Sequence, residues 1–102
     1  MPSPHPREPC YVISVVARLV NMHPQTLRYY EKLGLIRPSR SEGRIRLFSP
    51  QDLERLRRIQ ELQDAGVNPA GIKLVLEMDE TIGRLERELT RLQDHTRKEM
   101  PS

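Results

Sequence analysis

Along most of the chain apolar residues recur at spacings of three and four, as helices with one buried face require, and only one short central stretch alternates apolar with polar. Tyr11-Val12-Ile13 is a β-prone entry, and Ser14 stands where an N-cap would, ahead of Val15, Val16, Leu19 and Val20. Asn21-Met22-His23 makes a turn, and Pro24 suits the first position of a second helix, where its missing N–H costs nothing. With Gln25 as origin and 100° per residue, Leu27, Tyr30 and Gly34 fall within about 60° of one another. Gln25, Arg28, Tyr29 and Lys32 occupy the opposite side, within about 100°. Gly34 stops this helix, and Leu35-Ile36 are expected to fold back on the core. Two short helices joined by so few residues form a helix-turn-helix, or else a plain helical hairpin of a bundle.

From Arg37 the pattern changes. Pro38, Ser39, Ser41 and Gly43 mark turns, and Arg44-Ile45-Arg46-Leu47-Phe48 alternates as a half-buried strand would. This predicts a β-hairpin with Ile45 and Leu47 on one face and Arg44 and Arg46 on the other. Ser49, Pro50 and Asp52 then combine an N-cap, a proline at the first helical position and an acidic first turn. The helix they start carries Leu53, Leu56, Ile59, Gln60 and Leu62 and closes at Ala65-Gly66. Arg55, Arg57 and Arg58 fall on its outer part, to meet phosphates or merely solvent. Asn68-Pro69 starts another helix, with Ile72, Val75 and Leu76 as its apolar stripe. Asp79-Glu80-Thr81 reads as a joint, with a continuous helix as the alternative. Beyond it Ile82, Leu85, Leu89, Leu92 and Thr96 follow spacings of three and four, a narrow heptad seam that fits a coiled-coil partner better than a globular core.

These elements give a mainly α fold with a small β-hairpin; with the first two helices taken as a helix-turn-helix and the hairpin as its wing, it is a winged helix-turn-helix followed by a coiled-coil dimerisation helix. The expected organisation is a flexible tail over 1–10, a DNA-binding domain over 11–78, a coiled-coil helix over 79–97 and a second tail over 98–102. With 102 residues the core is limited, so dimerisation is a natural source of further burial.

Charge sharpens the picture. Residues 1–60 hold 11 basic and 5 acidic side chains, a net of +6, and residues 61–102 hold 6 and 9, a net of −3. A basic front half facing an acidic rear half points to an anionic partner at the N-terminal end, nucleic acid above all. The outer face of the second helix carries an amide, a guanidinium, a phenol and an ammonium, with no carboxylate. Such a set can hydrogen-bond base edges and neutralise phosphates. Gln25, Thr26, Arg28, Tyr29 and Lys32 are therefore the candidate recognition residues. Arg37, Arg40, Arg44 and Arg46 in the hairpin, with Arg18 before it, are the candidate phosphate contacts; strand edges are seldom protected by so many arginines.

Other chemistries find little material. Cys10, His5, His23 and His95 share no metal-ligand spacing, and no glycine-rich phosphate loop, nucleophile motif or apolar carboxylate pair is present. Neither metal, cofactor, small-molecule ligand nor enzymatic activity is expected. No apolar run approaches the ~18 residues of a membrane span, and a lone cysteine fits a reducing cytoplasm.

Thr26-Leu27-Arg28-Tyr29-Tyr30-Glu31, followed by Gly34-Leu35-Ile36, Pro38, Arg40, Arg46 and Phe48-Ser49, resembles the MerR family of bacterial transcription regulators, collinearly from residue 11 to about 78. The resemblance implies a homodimer paired through antiparallel copies of Ile82, Leu85, Leu89 and Leu92. It also implies that Gln25, Arg28 and Tyr29 meet successive major grooves of an inverted-repeat operator while the wings reach flanking backbone. Ile45 and Phe48 depart from the family pattern, standing where many relatives carry tyrosine. Tyr11-Val12-Ile13-Ser14 with Met22-His23-Pro24-Gln25-Thr26-Leu27-Arg28 is similar to the heat-shock repressor branch, in which the DnaK chaperone is co-repressor. Gly66-Val67-Asn68 and Ala70-Gly71-Ile72-Lys73 are shared with the nitrogen-responsive branch. The expected function is steric repression of chaperone and protease operons. The alternatives are a nitrogen-branch regulator controlled by another protein, or a coiled-coil adaptor that binds no DNA.

Overall fold

The computed structural model describes residues 5–99. A short strand β1 (Tyr11–Val12) runs directly into helix α1 (Ile13–Leu19), and a tight turn leads to α2 (Pro24–Lys32). The strands β2 (Ser39–Arg40) and β3 (Arg46–Phe48) form the wing, and α3 (Pro50–Asp64) and α4 (Pro69–Glu99) follow. The expected hairpin is part of a three-stranded antiparallel sheet of order β1-β3-β2, in which Tyr11 pairs with Phe48 and Arg40 with Arg46.

Helix starts largely follow the capping chemistry in the sequence. Ser49 and Asp52 form a reciprocal capping box: Asp52 N–H donates to the Ser49 hydroxyl, and Ser49 N–H to the Asp52 carboxylate. Asn68 caps α4, its Oδ1 accepting from Gly71 N–H at 2.8 Å. Before α2 the cap is His23, whose Nδ1 accepts from Gln25 N–H at 3.0 Å. Ser14 does not cap α1. Because β1 stays paired with β3 until Val12, the helix begins at Ile13 with no side-chain cap, and Ser14 already lies inside its first turn. Gly34 takes φ +77° past the end of α2, which turns Leu35 and Ile36 inward to 1% exposure each.

One core joins Val16, Ala17 and Val20 of α1, Leu27 and Tyr30 of α2, Leu35, Ile36 and Phe48, Leu53, Leu56 and Ile59 of α3, and Ile72 and Leu76 of α4. Leu19, expected in the first helix's stripe, is 49% exposed, and Ala17 takes the inward position instead. In the wing the expected alternation does not extend back to Ile45. Phe48 is buried and Arg46 shares its side of the strand, while Ile45 is 57% exposed. The reason is the turn: Arg44 stands outside the strand with φ +63°, so regular pleating begins only at Arg46.

No joint interrupts residues 79–81. The helix is continuous over Pro69–Glu99, about 46 Å long. Thr81 donates its hydroxyl to the Glu77 carbonyl, and Asp79 and Glu80 face arginines of α3 instead of ending a turn. Residues 6 and 10 of the expected tail are held to the body, Pro6 C=O accepting from Gln51 N–H and Cys10 N–H donating to Phe48 C=O. The expected tail positions 1–4 and 100–102 lie outside the described residues.

Candidate nucleic-acid interface

The α2 helix is held from beneath. Leu27 and Tyr30 are 1% and 4% exposed, and the Tyr30 hydroxyl donates to Gln63 Oε1 of α3. Burial, then the nearby charge of Asp64 and then Tyr29, push the Tyr30 phenol above its ordinary pKa, so it stays a neutral donor. With that face anchored, Gln25, Arg28, Tyr29 and Lys32 point outward, all four exposed, and Thr26 is half-buried at their margin. No hydrogen bond or ion pair engages the side chains of Gln25, Arg28 or Lys32 among the described residues.

The wing arginines divide into two kinds. Arg37, in the loop between buried Ile36 and Pro38, and Arg44, at the hairpin tip, are exposed and carry no ion pair among the described residues. Arg40 and Arg46 are tied down. Both donate to Glu31 of α2, Arg46 Nε to Oε1 at 2.7 Å and Arg40 Nη2 to Oε2 at 3.3 Å. Arg40 Nη1 also reaches the Arg44 carbonyl at 3.3 Å. The wing's cationic edge therefore includes a carboxylate that the sequence places on another element. Arg18 lies exposed in the last turn of α1, and no hydrogen bond or ion pair joins it to α2 or the wing among the described residues.

Arg55 and Arg58 do not join this surface. Arg55 donates from Nε to the Leu35 carbonyl at 2.6 Å and from Nη1 to Glu80 at 2.7 Å. It ties the end of the α2 segment to α4. Arg58 binds Asp79 through Nε at 2.8 Å and reaches Glu61 at 3.3 Å. Arg57, between Arg55 and Arg58 in the sequence, is exposed. A signal for these ties was present in the sequence. Folding the chain back near residues 67–68 sets Arg55 opposite Glu80 and Arg58 opposite Asp79.

Beyond the head, Ile82, Leu85, Leu89 and Leu92 are each about half exposed, at 50%, 52%, 56% and 48%. Their stripe begins earlier than the sequence reading placed it. Leu74 and Met78, 58% and 54% exposed, lie with them within about 80° on the face of α4 opposite Ile72 and Leu76. No cluster of three or more His, Cys, Asp or Glu residues among the described residues could hold a metal ion. No helix there is long and apolar enough to cross a membrane.

A short two-helix reader, a hairpin wing and a long terminal helix together define a winged helix-turn-helix regulator. The chain belongs to the MerR HTH family of regulatory proteins, whose family model matches residues 11–79. It is 51% identical over 79 residues to a Streptomyces coelicolor protein assigned as heat shock protein HspR, covering 76% of this chain and 52% of that one. It is 43% identical over 72 residues to the HTH-type transcriptional regulator GlnR of Bacillus cereus, covering 71% and 56%. The chain thus spans about half the length of these curated relatives. Among solved structures, HiNmlR, a MerR family regulator lacking the sensor domain and bound to promoter DNA, superposes with a TM-score of 0.64 at 25% identity, covering 86% of this chain and 74% of that one. These relatives are transcription regulators and not enzymes.

Proposed function

We propose that the chain is a sequence-specific DNA-binding repressor that acts as a homodimer on an inverted-repeat operator. In this reading α2 enters the major groove, with Gln25, Thr26, Arg28 and Tyr29 toward base edges and Lys32 toward the backbone. Arg37 and Arg44 neutralise flanking phosphates, and Arg40 and Arg46 follow with the wing. Arg18 takes backbone on the far side of the turn. The observation that carries the reading is the outer face of α2: four exposed donors and acceptors on a helix whose other face is locked into the core. Arg44 adds support. A left-handed backbone conformation disfavours any residue with a Cβ, and an arginine held there at a hairpin tip suggests a role worth that strain. HiNmlR, a MerR family regulator bound to promoter DNA, supports DNA as the partner.

The second copy pairs along the outward stripe from Leu74 to Leu92, about 27 Å of helix, in antiparallel register. The similarity to HspR favours heat-shock operons as targets and the DnaK chaperone as co-repressor over a nitrogen-responsive role. The test is a gel-shift titration against the duplex that the wild-type chain recovers from a randomised pool, with and without DnaK at two temperatures. Arg28→Ala is expected to weaken binding by about 1–3 kcal/mol and relax preference at one base position. Unchanged affinity would remove α2 from the interface. DnaK is expected to tighten wild-type binding, and indifference to it would exclude the co-repressor.

A further inference from the structure

A carboxylate stands at the edge of the surface offered to DNA. Glu31 follows Arg28 by three residues on α2, about 60° further round the helix. At that spacing a glutamate can pair with the arginine and occupy it, and left unpaired it would repel phosphate. Here it does neither. Its two oxygens are taken by Arg46 at 2.7 Å and Arg40 at 3.3 Å, and Arg28 is left without an ion pair among the described residues. Arg40 and Arg46 are directly opposite across β2 and β3, so one carboxylate gathers both wing strands against the recognition helix.

We propose that Glu31 is a positioning residue that also enforces discrimination. It docks the wing on α2, and away from an operator it engages two arginines and offsets one of their two charges, so that they bind an arbitrary phosphate backbone less well. This rests on α2 and the wing being the DNA-binding surface. The two pairs are unequal. The Arg46 side chain is 28% exposed and closely held, whereas that of Arg40 is 46% exposed at the longer distance. Arg46 is thus the fixed attachment of the wing, and Arg40 is the guanidinium a phosphate can capture. Exposed ion pairs contribute little, so the exchange from carboxylate to phosphate is cheap. It is complete only when a bound operator brings a phosphate into line. On unrelated DNA the carboxylate keeps its partners, and non-specific affinity stays low.

Glu31→Gln keeps the shape of the side chain and removes its charge. The probes are the duplex that the wild-type chain recovers from a randomised pool and a scrambled duplex of the same composition. The variant is expected to bind the scrambled duplex about fivefold more tightly. Its salt dependence there should be steeper by about one to two units. The recovered duplex should gain less, so the ratio of the two affinities falls. In a background lacking both guanidinium groups, Arg40→Gln with Arg46→Gln, the same change should leave the ratio alone. An unchanged ratio and slope in Glu31→Gln, or an equal change in that background, would overturn the proposal. A second measurement stands even where Glu31→Gln fails to fold. Arg40→Gln should leave the slope on scrambled DNA almost untouched, while Arg44→Gln should lower it by about one unit; equal losses would also overturn the proposal. A wild-type chain with no preference for any duplex would instead overturn the DNA-binding reading and this role with it.

Discussion

The two halves of α4 carry apolar residues at the same helical spacing and meet opposite fates. Ile72 and Leu76 are 2% and 3% exposed, packed in the core with Leu56 and Ile59 of α3. From Ile82 to Leu92 every apolar position of the seam is about half exposed. The first half is also fastened by charge, through Arg58 to Asp79 and Arg55 to Glu80, whereas along the second the pair of Arg91 with Glu88 lies within the helix itself. A seam of correct period thus states that something must cover it, and says nothing of whether the cover is the same chain or another. The outward position of Leu74 and Met78 makes the point within a single turn, since α4 there is apolar on both sides.

Substitutions can break this contrast or sharpen it. The largest effect is expected for Leu89→Arg. In a symmetric pair it removes two buried leucines and inserts two charges, costing about 3–6 kcal/mol of association. Sedimentation should then report monomers whose head keeps its helical circular dichroism. A stable dimer would put the seam out of use. Leu76→Ala acts on the other half and should lower the unfolding free energy by about 2–5 kcal/mol through the cavity it leaves. The folded variant should sediment as the wild type does. An equal loss of dimer would mean that the two halves are one cooperative unit. The smallest effect is expected at the start of the helix. Asn68→Ala removes the acceptor for Gly71 N–H and should cost about 1 kcal/mol in a denaturant titration, with association unchanged.

Much of the fold was legible because the chain punctuates itself chemically. Ser49-Pro50 with Asp52, Asn68-Pro69 and His23-Pro24 mark helix starts, and Gly34 and Gly66, at φ +77° and +88°, mark where helices end. The exposed outer face of α2 was legible for the same reason, since four exposed positions on a nine-residue helix follow from its period and its anchored side. Misreadings arose where a distant element competed or an unforeseen turn broke the pattern. Ser14 looked like a cap because nothing local reveals that β1 remains paired with β3 up to Val12. Ile45 looked like a strand residue sharing the face of Leu47 because the left-handed turn at Arg44 is invisible to a count of alternating letters.

Local chemistry, acting over a few residues, determined the helices, their caps and stops, the donor-rich face of α2 and the existence of an apolar seam. Tertiary structure decided which charges remain available. Glu31 is one letter in the last turn of α2 until the wing folds across it, and only then do Arg40 and Arg46 become its partners, while Arg28 and Arg44 carry no ion pair among the described residues. Arg55 and Arg58 likewise change from surface charges to ties once α4 folds back beside α3. Ion pairs between elements depend on distances of a few ångströms across the fold, whereas the periodicity of a helix is written along the chain.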